Sequence, residues 1–232
     1  MQFKALATDF DGTLAADGIV ADATLAALER LRRSGRKLIL VTGRRLDDLA
    51  QVFARMELFD RIIAENGALL HDPASGASEV LAEPPPPALA AFLAARNASP
   101  LGVGRVVVAT VEPYDRDLRE AIATLGLDWQ VIMNKGSAMA LPVGVDKATG
   151  VRAAMRALAL APREVVAVGD AENDSVFLRA CGLGVAVANA LALLKAEADW
   201  VTEGACGVGV VELAERLVAS DLADLDRRRG PR

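Results

Sequence analysis

The chain has 232 residues, enough for one large or two smaller domains, and either can bury a core. Hydrophobic residues make up 53% and aromatic residues only 4%, so that core is aliphatic, and a net charge of −5 excludes the basic face that nucleic acid requires. No apolar run approaches the roughly 20 residues of a membrane span, and Lys4, Asp9 and Asp11 interrupt the stretch where a signal segment would lie.

The apolar run from Phe3 to Ala7 reads as a buried parallel strand, ending in Asp9-Phe10-Asp11-Gly12-Thr13-Leu14. Asp17-Gly18 marks a small hairpin beside it. Asp22 is expected to cap a helix that runs through Ser34, with Leu25, Leu28 and Leu31 on one face and Gly35 as its stop. Lys37 to Val41 is a second buried strand, leading into Thr42-Gly43-Arg44. A helix is predicted over Leu46 to Leu58, with Asp47 and Asp48 in the turn where the dipole favours acids. Arg61 to Ala64 is a third strand, followed by Glu65-Asn66-Gly67. Strands and helices alternating at this spacing call for a doubly wound parallel sheet.

The pattern then changes. Ala68 to Asp72 and Ser78 to Ala82 flank the turn Pro73-Ala74-Ser75-Gly76, an antiparallel hairpin pattern. Pro84 to Pro87 form a stiff break before a helix from Ala88 to Arg96. Arg105 to Val111, Trp129 to Met133 and Ser137 to Leu141 read as strands, and Asp115 to Leu125 as a helix. Residues 70–142 are therefore expected to form a small α+β insert, a cap, between core segments 1–69 and 143–220. Alternation resumes with a helix over Lys147 to Leu160, a strand over Val165 to Val168 and a short helix over Asn173 to Ala180. A strand at Gly184 to Val187, a helix over Ala190 to Ala198, a strand at Trp200 to Thr202 and a closing helix over Val208 to Ala219 complete it. The last stretch, 221–232, mixes acids and bases without a core face and is expected to be solvated.

Ligands of open α/β sheets bind beyond the carboxyl ends of the strands. Asp9 and Asp11 follow the first strand, Thr42 the second, and Asp170 with Asp174 the strand at Val165, while Lys147 opens a helix. Two close carboxylates stay ionised only with a cation or hydrogen bonds to compensate, and Mg2+ binds through few carboxylates plus phosphate. Together these groups form an inventory for phosphoryl transfer, where catalysis is mostly positioning and charge neutralisation. Taken singly, each has a simpler reading: Asp9 to Gly12 and Thr42-Gly43 as strand-end turns, Lys147 as a solvated surface lysine, Asp170 as a helix cap and Asp174 as a first-turn acid. His71 is the sole histidine, so a histidine pair or triad is unsupported, and Cys181 and Cys206 read as thiols of a cytoplasmic protein.

In order, Asp9-Phe10-Asp11-Gly12-Thr13-Leu14, Thr42-Gly43-Arg44, Lys147 and Gly169-Asp170-Ala171-Glu172-Asn173-Asp174 resemble the four motifs of the haloacid dehalogenase superfamily. Glu65-Asn66-Gly67-Ala68 and the position of the insert resemble its Cof-like branch, which carries an α/β cap there. The resemblance implies a Mg2+-dependent phosphatase acting on a small phosphorylated metabolite, of the phosphoglycolate or sugar-phosphate class. It implies Asp9 as the nucleophile that accepts the phosphoryl group and Asp11 as general acid and base, its proton favoured by crowding from Asp9 and Asp170. Mg2+ would be held by Asp9, the Asp11 backbone carbonyl and Asp170, with Asp174 as ligand or anchor. Thr42, Gly43, Arg44, Lys147 and Asn173 would bind the phosphoryl group, and Arg105, Tyr114, Arg116, Asn134 and Lys135 are the polar candidates of the cap. A monomer or homodimer, without nucleic acid or membrane as partner, is expected. A phosphomutase of the phosphomannomutase type and a non-catalytic phosphate-sensing module of a longer protein are the alternatives.

Overall fold

Strand and helix alternate from the start of the chain, as the apolar runs predict. A computed structural model describes residues 1–223 and residue 225. In its first part β1 (Ala5–Asp9), α1 (Asp22–Arg33), β2 (Lys37–Val41), α2 (Leu46–Val52) and β3 (Arg61–Ala64) follow one another, and β4 (Leu69–His71) and β5 (Ser78–Val80) come next. A second group comprises α3 (Pro87–Ala95), β6 (Gly102–Val103), β7 (Val108–Val111), α4 (Asp115–Thr124), β8 (Trp129–Asn134) and β9 (Ser137–Pro142). The chain then returns through α5 (Lys147–Ala157), β10 (Val165–Gly169), α6 (Ser175–Ala180), β11 (Leu183–Ala186), α7 (Ala192–Glu197), β12 (Trp200–Val201) and α8 (Cys206–Ser220).

Among the described residues, eight strands form one sheet in the order β12-β11-β10-β1-β2-β3-β4-β5. The pairs from β12 to β3 are parallel. Every residue of β1 and β10 is buried, and Leu38 to Val41 of β2 are as well. Fully enclosed side chains such as Leu6, Leu38, Ile39 and Leu40 each contribute about 2 kcal/mol of burial free energy. Because β10, β1 and β2 run in register and in the same direction, Gly169, Asp9 and Val41 bring their following loops to one edge. The four remaining strands form an antiparallel sheet in the order β6-β7-β9-β8. Leu89 and Leu93 of α3 and Leu118 and Ala121 of α4 pack on its Val108, Ala138 and Ala140. A third cluster, with Ala68, Val106, Val107, Met139, Leu141 and Val145, fills the joint between the two sheets.

Four expectations need correction. The hairpin expected to open the insert belongs to the large sheet: β4 pairs antiparallel with β3, and β5 with β4. Leu69 and Leu70 are buried there, so pairing with the edge of β3 captures residues 69–80 for the large sheet. Asp22 is not the cap of α1; Ala21 holds the extended cap position and Asp22 lies in the first turn. The helix after Arg45 stops at Val52, because Phe53 turns extended and places its ring 5.5 Å from Phe10 and 6.0 Å from Phe59. Finally, residues 221–232 are not solvated from their start. The Asp221 carboxylate accepts hydrogen bonds from the Gln2 and Phe3 N–H groups and from Arg36, and Leu222 is buried in the core; residues 224 and 226–232 lie outside the described residues. No helix among the described residues is long and apolar enough to cross a membrane.

Candidate active site

The loops after β1, β2 and β10, together with the first residue of α5, converge on one cleft. Asp9 is the last residue of β1 and is buried. Lys147, fully buried, enters from the start of α5, whose turn is fixed by Asp146 capping the Thr149 N–H at 2.9 Å. Its Nζ donates to Asp9 Oδ1 and to Asp174 Oδ1, each at 2.6 Å. Asp174 Oδ2 accepts the N–H groups of Asp170 at 2.8 Å and Ala171 at 2.9 Å. Both oxygens of Asp174 are therefore engaged in holding the loop and the lysine. Asp170, completely buried, accepts from Thr13 Oγ1 at 3.1 Å through Oδ1 and from Lys135 Nζ through Oδ2.

Asp9, Asp170 and Asp174 each offer a carboxylate oxygen within 4.8 Å of the others. Three carboxylates face two ammonium groups there, an arrangement that leaves one negative charge uncompensated and suits a hard cation with oxygen ligands. The electrostatics say the same. Burial lifts the Asp9 carboxyl well above the usual carboxylate range, Asp174 adds to it, and Lys147 offsets only part. Burial likewise raises Asp170, with Lys135 opposing. Burial works against the Lys147 ammonium, yet Asp174 and Asp9 outweigh it and push that group up. The upward shifts of Asp9, Asp170 and Lys147 describe a pocket short of positive charge.

Asp11 stands outside this trio. Its oxygens accept from Arg44 Nε at 2.8 Å and Nη2 at 2.7 Å, and the guanidinium lies 5.8 Å from the centre of the Phe10 ring. The expected crowding of Asp11 by Asp9 and Asp170 is thus replaced by a bidentate pair with a cation. Arg44, expected on phosphate, is committed to that pair. Thr42 is buried and its Oγ1 accepts the Arg44 N–H at 3.0 Å, closing the turn while keeping its own proton to donate. Gly43 lines the cleft beside Met139. Asn173 does not line this cleft: its Nδ2 donates to Asn66 Oδ1 at 2.8 Å, leaving Asn173 Oδ1 and Asn66 Nδ2 without a hydrogen-bond partner among the described residues.

The cleft has a volume of about 610 Å³ and is walled by both sheets. The core supplies Asp9, Asp11, Gly43, Arg44 and Arg45; the small sheet and its loops supply Leu101, Thr110, Asn134, Lys135 and Met139. Of the expected cap candidates, Asn134 and Lys135 reach it, whereas Arg105, Tyr114 and Arg116 are not among its lining residues. Contacts without an expected role include Thr13 on Asp170, and Asn189, which donates to the Gly12 carbonyl at 2.7 Å. Gly12 is obligatory, since its φ is +80° and a Cβ would fall 2.3 Å from Asp170 Oδ2. The Lys135-Gly136 dipeptide between two strands signals a tight turn, the one hint of where that lysine points; Asn189 carries no such signal.

A buried nucleophile candidate bound to a lysine, a carboxylate trio and an acid–arginine pair at a strand-end cleft define an enzyme built for phosphoryl groups. The chain belongs to the haloacid dehalogenase-like hydrolases, whose family model matches residues 6–83 and 108–213. Among its relatives, the phosphoglycolate phosphatase of Halorubrum lacusprofundi is 31% identical over 198 residues, covering 80% of this chain and 84% of that one. The phosphoglycolate phosphatase of Methanopyrus kandleri is 30% identical over 193 residues, covering 79% and 83%. Among solved structures, a haloacid dehalogenase-like hydrolase from B. subtilis superposes with a TM-score of 0.77 at 19% identity, covering 93% of this chain and 100% of that one. A subclass IIB sugar phosphatase does so at 0.73 and 20% identity, covering 92% and 97%. These two share the fold.

Proposed function

We propose that this phosphatase, a phosphoric monoester hydrolase, cleaves a small phosphomonoester of the phosphoglycolate or sugar-phosphate class through a phosphoryl-aspartate formed on Asp9. The observation that carries the reading is the buried Lys147 bridge between Asp9 and Asp174. It fixes one oxygen of Asp9 and leaves the other for attack on phosphorus, while neutralising charge where the phosphoryl oxygens arrive. As the Asp9–phosphorus bond forms, the bond from phosphorus to the leaving oxygen breaks, and Asp11 gives that oxygen a proton. Asp11 then takes a proton from water as the water oxygen attacks phosphorus, releasing inorganic phosphate and restoring the Asp9 carboxylate. Before either transfer Arg44 has to release Asp11, and the phosphoryl group offers the guanidinium a second bidentate anion. The Thr42 hydroxyl donates to a phosphoryl oxygen, and Asn173 ties the loop that carries Asp170 to Asn66.

Asp9, Asp170 and the Asp11 carbonyl would hold Mg2+, which when bound neutralises phosphoryl charge and supplies the positive charge the trio lacks. The fit rests on the uncompensated carboxylate. The small sheet with its two helices acts as the cap, over residues 83–142 rather than 70–142, since it walls the outer half of the cleft. The relatives named as phosphoglycolate phosphatases support the substrate class. A screen of the purified protein with Mg2+ against phosphorylated metabolites tests the reading, with Asp9→Asn assayed beside it. Turnover of small phosphomonoesters, lost by at least about three orders of magnitude in Asp9→Asn, is expected. Activity retained in Asp9→Asn, or unaffected by a chelator, refutes it.

A further inference from the structure

The cations of the cleft are unequally committed. Lys147 is enclosed between Asp9 and Asp174, Arg44 is paired with Asp11, and Arg45 is paired with Asp48 at 2.6 and 2.7 Å while donating to the Val103 carbonyl. Lys135 differs. It occupies a two-residue turn between β8 and β9, with φ of 45° at Lys135 and 85° at Gly136, closed by the Asn134–Ser137 pair. The turn projects the lysine from the small sheet toward the core. Its side chain is 41% exposed, yet its ammonium rests on Asp170, a carboxylate with no exposure at all.

Asp170 is one of the three acids that suit a hard cation. An ammonium and a divalent ion cannot both sit on that one carboxylate without strong like-charge repulsion. When the trio is loaded, Lys135 is therefore the cation set free inside the cleft, with a long flexible stem and a strongly hydrated head seeking a new anion. The transferring phosphoryl oxygens already have Thr42, Lys147 and Arg44 on the core side. Lys135 arrives from the opposite wall, among Leu101, Ala109, Thr110 and Met139, where the remainder of a small substrate has to lie.

Resting on the phosphatase reading above, we infer that Lys135 is a specificity-determining residue. It neutralises Asp170 while the trio lacks a divalent cation and, once the trio is loaded, binds an anionic group, such as a carboxylate, on the leaving portion of the substrate. The apolar and uncharged lining around it offers such a group no competing cation on that wall.

The test compares wild type, Lys135→Met and Lys135→Arg on two esters of similar size, 2-phosphoglycolate and ethyl phosphate. Lys135→Met is expected to lower the ratio of kcat/KM for the anionic over the neutral ester by about tenfold or more, chiefly through KM for phosphoglycolate, and Lys135→Arg to restore part of it. A ratio unchanged in Lys135→Met, or both esters impaired alike, overturns the assignment, the latter marking a general phosphoryl contact. A second readout needs no turnover: Mn2+ titrated into substrate-free protein should bind Lys135→Met severalfold more tightly than wild type, because the competing ammonium is gone. Unchanged or weaker Mn2+ binding overturns the exchange. If wild type hydrolyses neither ester nor any other phosphomonoester, the phosphatase reading fails, and the Mn2+ titration still decides whether Lys135 competes for Asp170.

Discussion

Replacing Lys147 by Met keeps the length and apolar stem of a fully buried side chain and removes its charge. Each of its two contacts, at 2.6 Å, carries a gross attraction of about 6 kcal/mol at an effective dielectric of 20. Burying the ammonium offsets much of that, and breaking a buried pair by removing one partner has a net cost of about 3–5 kcal/mol. That is a large share of the roughly 5–15 kcal/mol that holds a domain folded. The loss should depend on pH in a definite direction. Burial and Asp174 already raise Asp9 above its unfolded value of 3.8, so its ionisation in the folded state weakens folding as pH rises through the raised value. Without Lys147 that value climbs further. The deficit of Lys147→Met relative to wild type is therefore greatest at neutral pH and shrinks toward acid as Asp9 takes up its proton. Urea unfolding followed by circular dichroism at pH 7 and pH 5, with a chelator present, measures it. A deficit below about 1 kcal/mol at pH 7, the scale of an exposed pair, or one that does not shrink on acidification, refutes the argument.

Glu65, buried, accepts the N–H groups of Arg105, Val106 and Val107 at 2.9, 2.8 and 3.0 Å, tying the chain entering the small sheet to the core. Glu65→Gln leaves at least one of those donors facing an amide NH2 and should cost about 2–3 kcal/mol, with faster hydrogen exchange at residues 105–107 as the measurable sign. Asp221→Ala should cost about 1–2 kcal/mol in thermal unfolding at neutral pH, by removing the ion pair of Arg36 and the acceptor of the Gln2 and Phe3 N–H groups. Despite burial, Arg36 and the N–H groups of Gln2 and Phe3 hold the Asp221 carboxyl below its ordinary value of 3.8. Its contribution is therefore complete above that value and lost as pH falls through the lowered one, so mutant and wild type should converge in acid.

The parallel strands were legible because burial on both faces writes itself as unbroken apolar runs, as in Leu38 to Val41 and Val165 to Val168. Strand-end acids followed from the same reading, since a charge closing such a run has to sit at the sheet edge. Pairing across distance was not legible. Nothing in Leu69 to Val80 distinguishes a hairpin that extends β3 from one that opens an insert, because the choice depends on which edge lies vacant nearby. Arg44 and Asp11 meet across 33 positions, and the meeting depends on the register of β1 with β2 rather than on either local motif. The alternation of acids and bases after Ser220 reads as solvated, yet Asp221 finds three donors clustered where β1 begins. Lys135 shows the reverse case: the turn was readable from Gly136, but not the carboxylate at its far end.

The order of strands has a consequence in time. β1 lies between β2, which begins 32 residues after it, and β10, whose Val165 is the partner of Ala5. A ribosome adding roughly 5–20 residues per second completes the β1–β2–β3 side first, then takes about 5–20 s more to deliver β10. Through that interval the central strand has one edge open, and Asp9 waits without Lys147 or the loop of Asp170. An open edge on an apolar strand is a template for pairing with other chains. The half-made sheet is thus the aggregation-exposed species of this protein, and the catalytic cleft is among the last features of the molecule to exist.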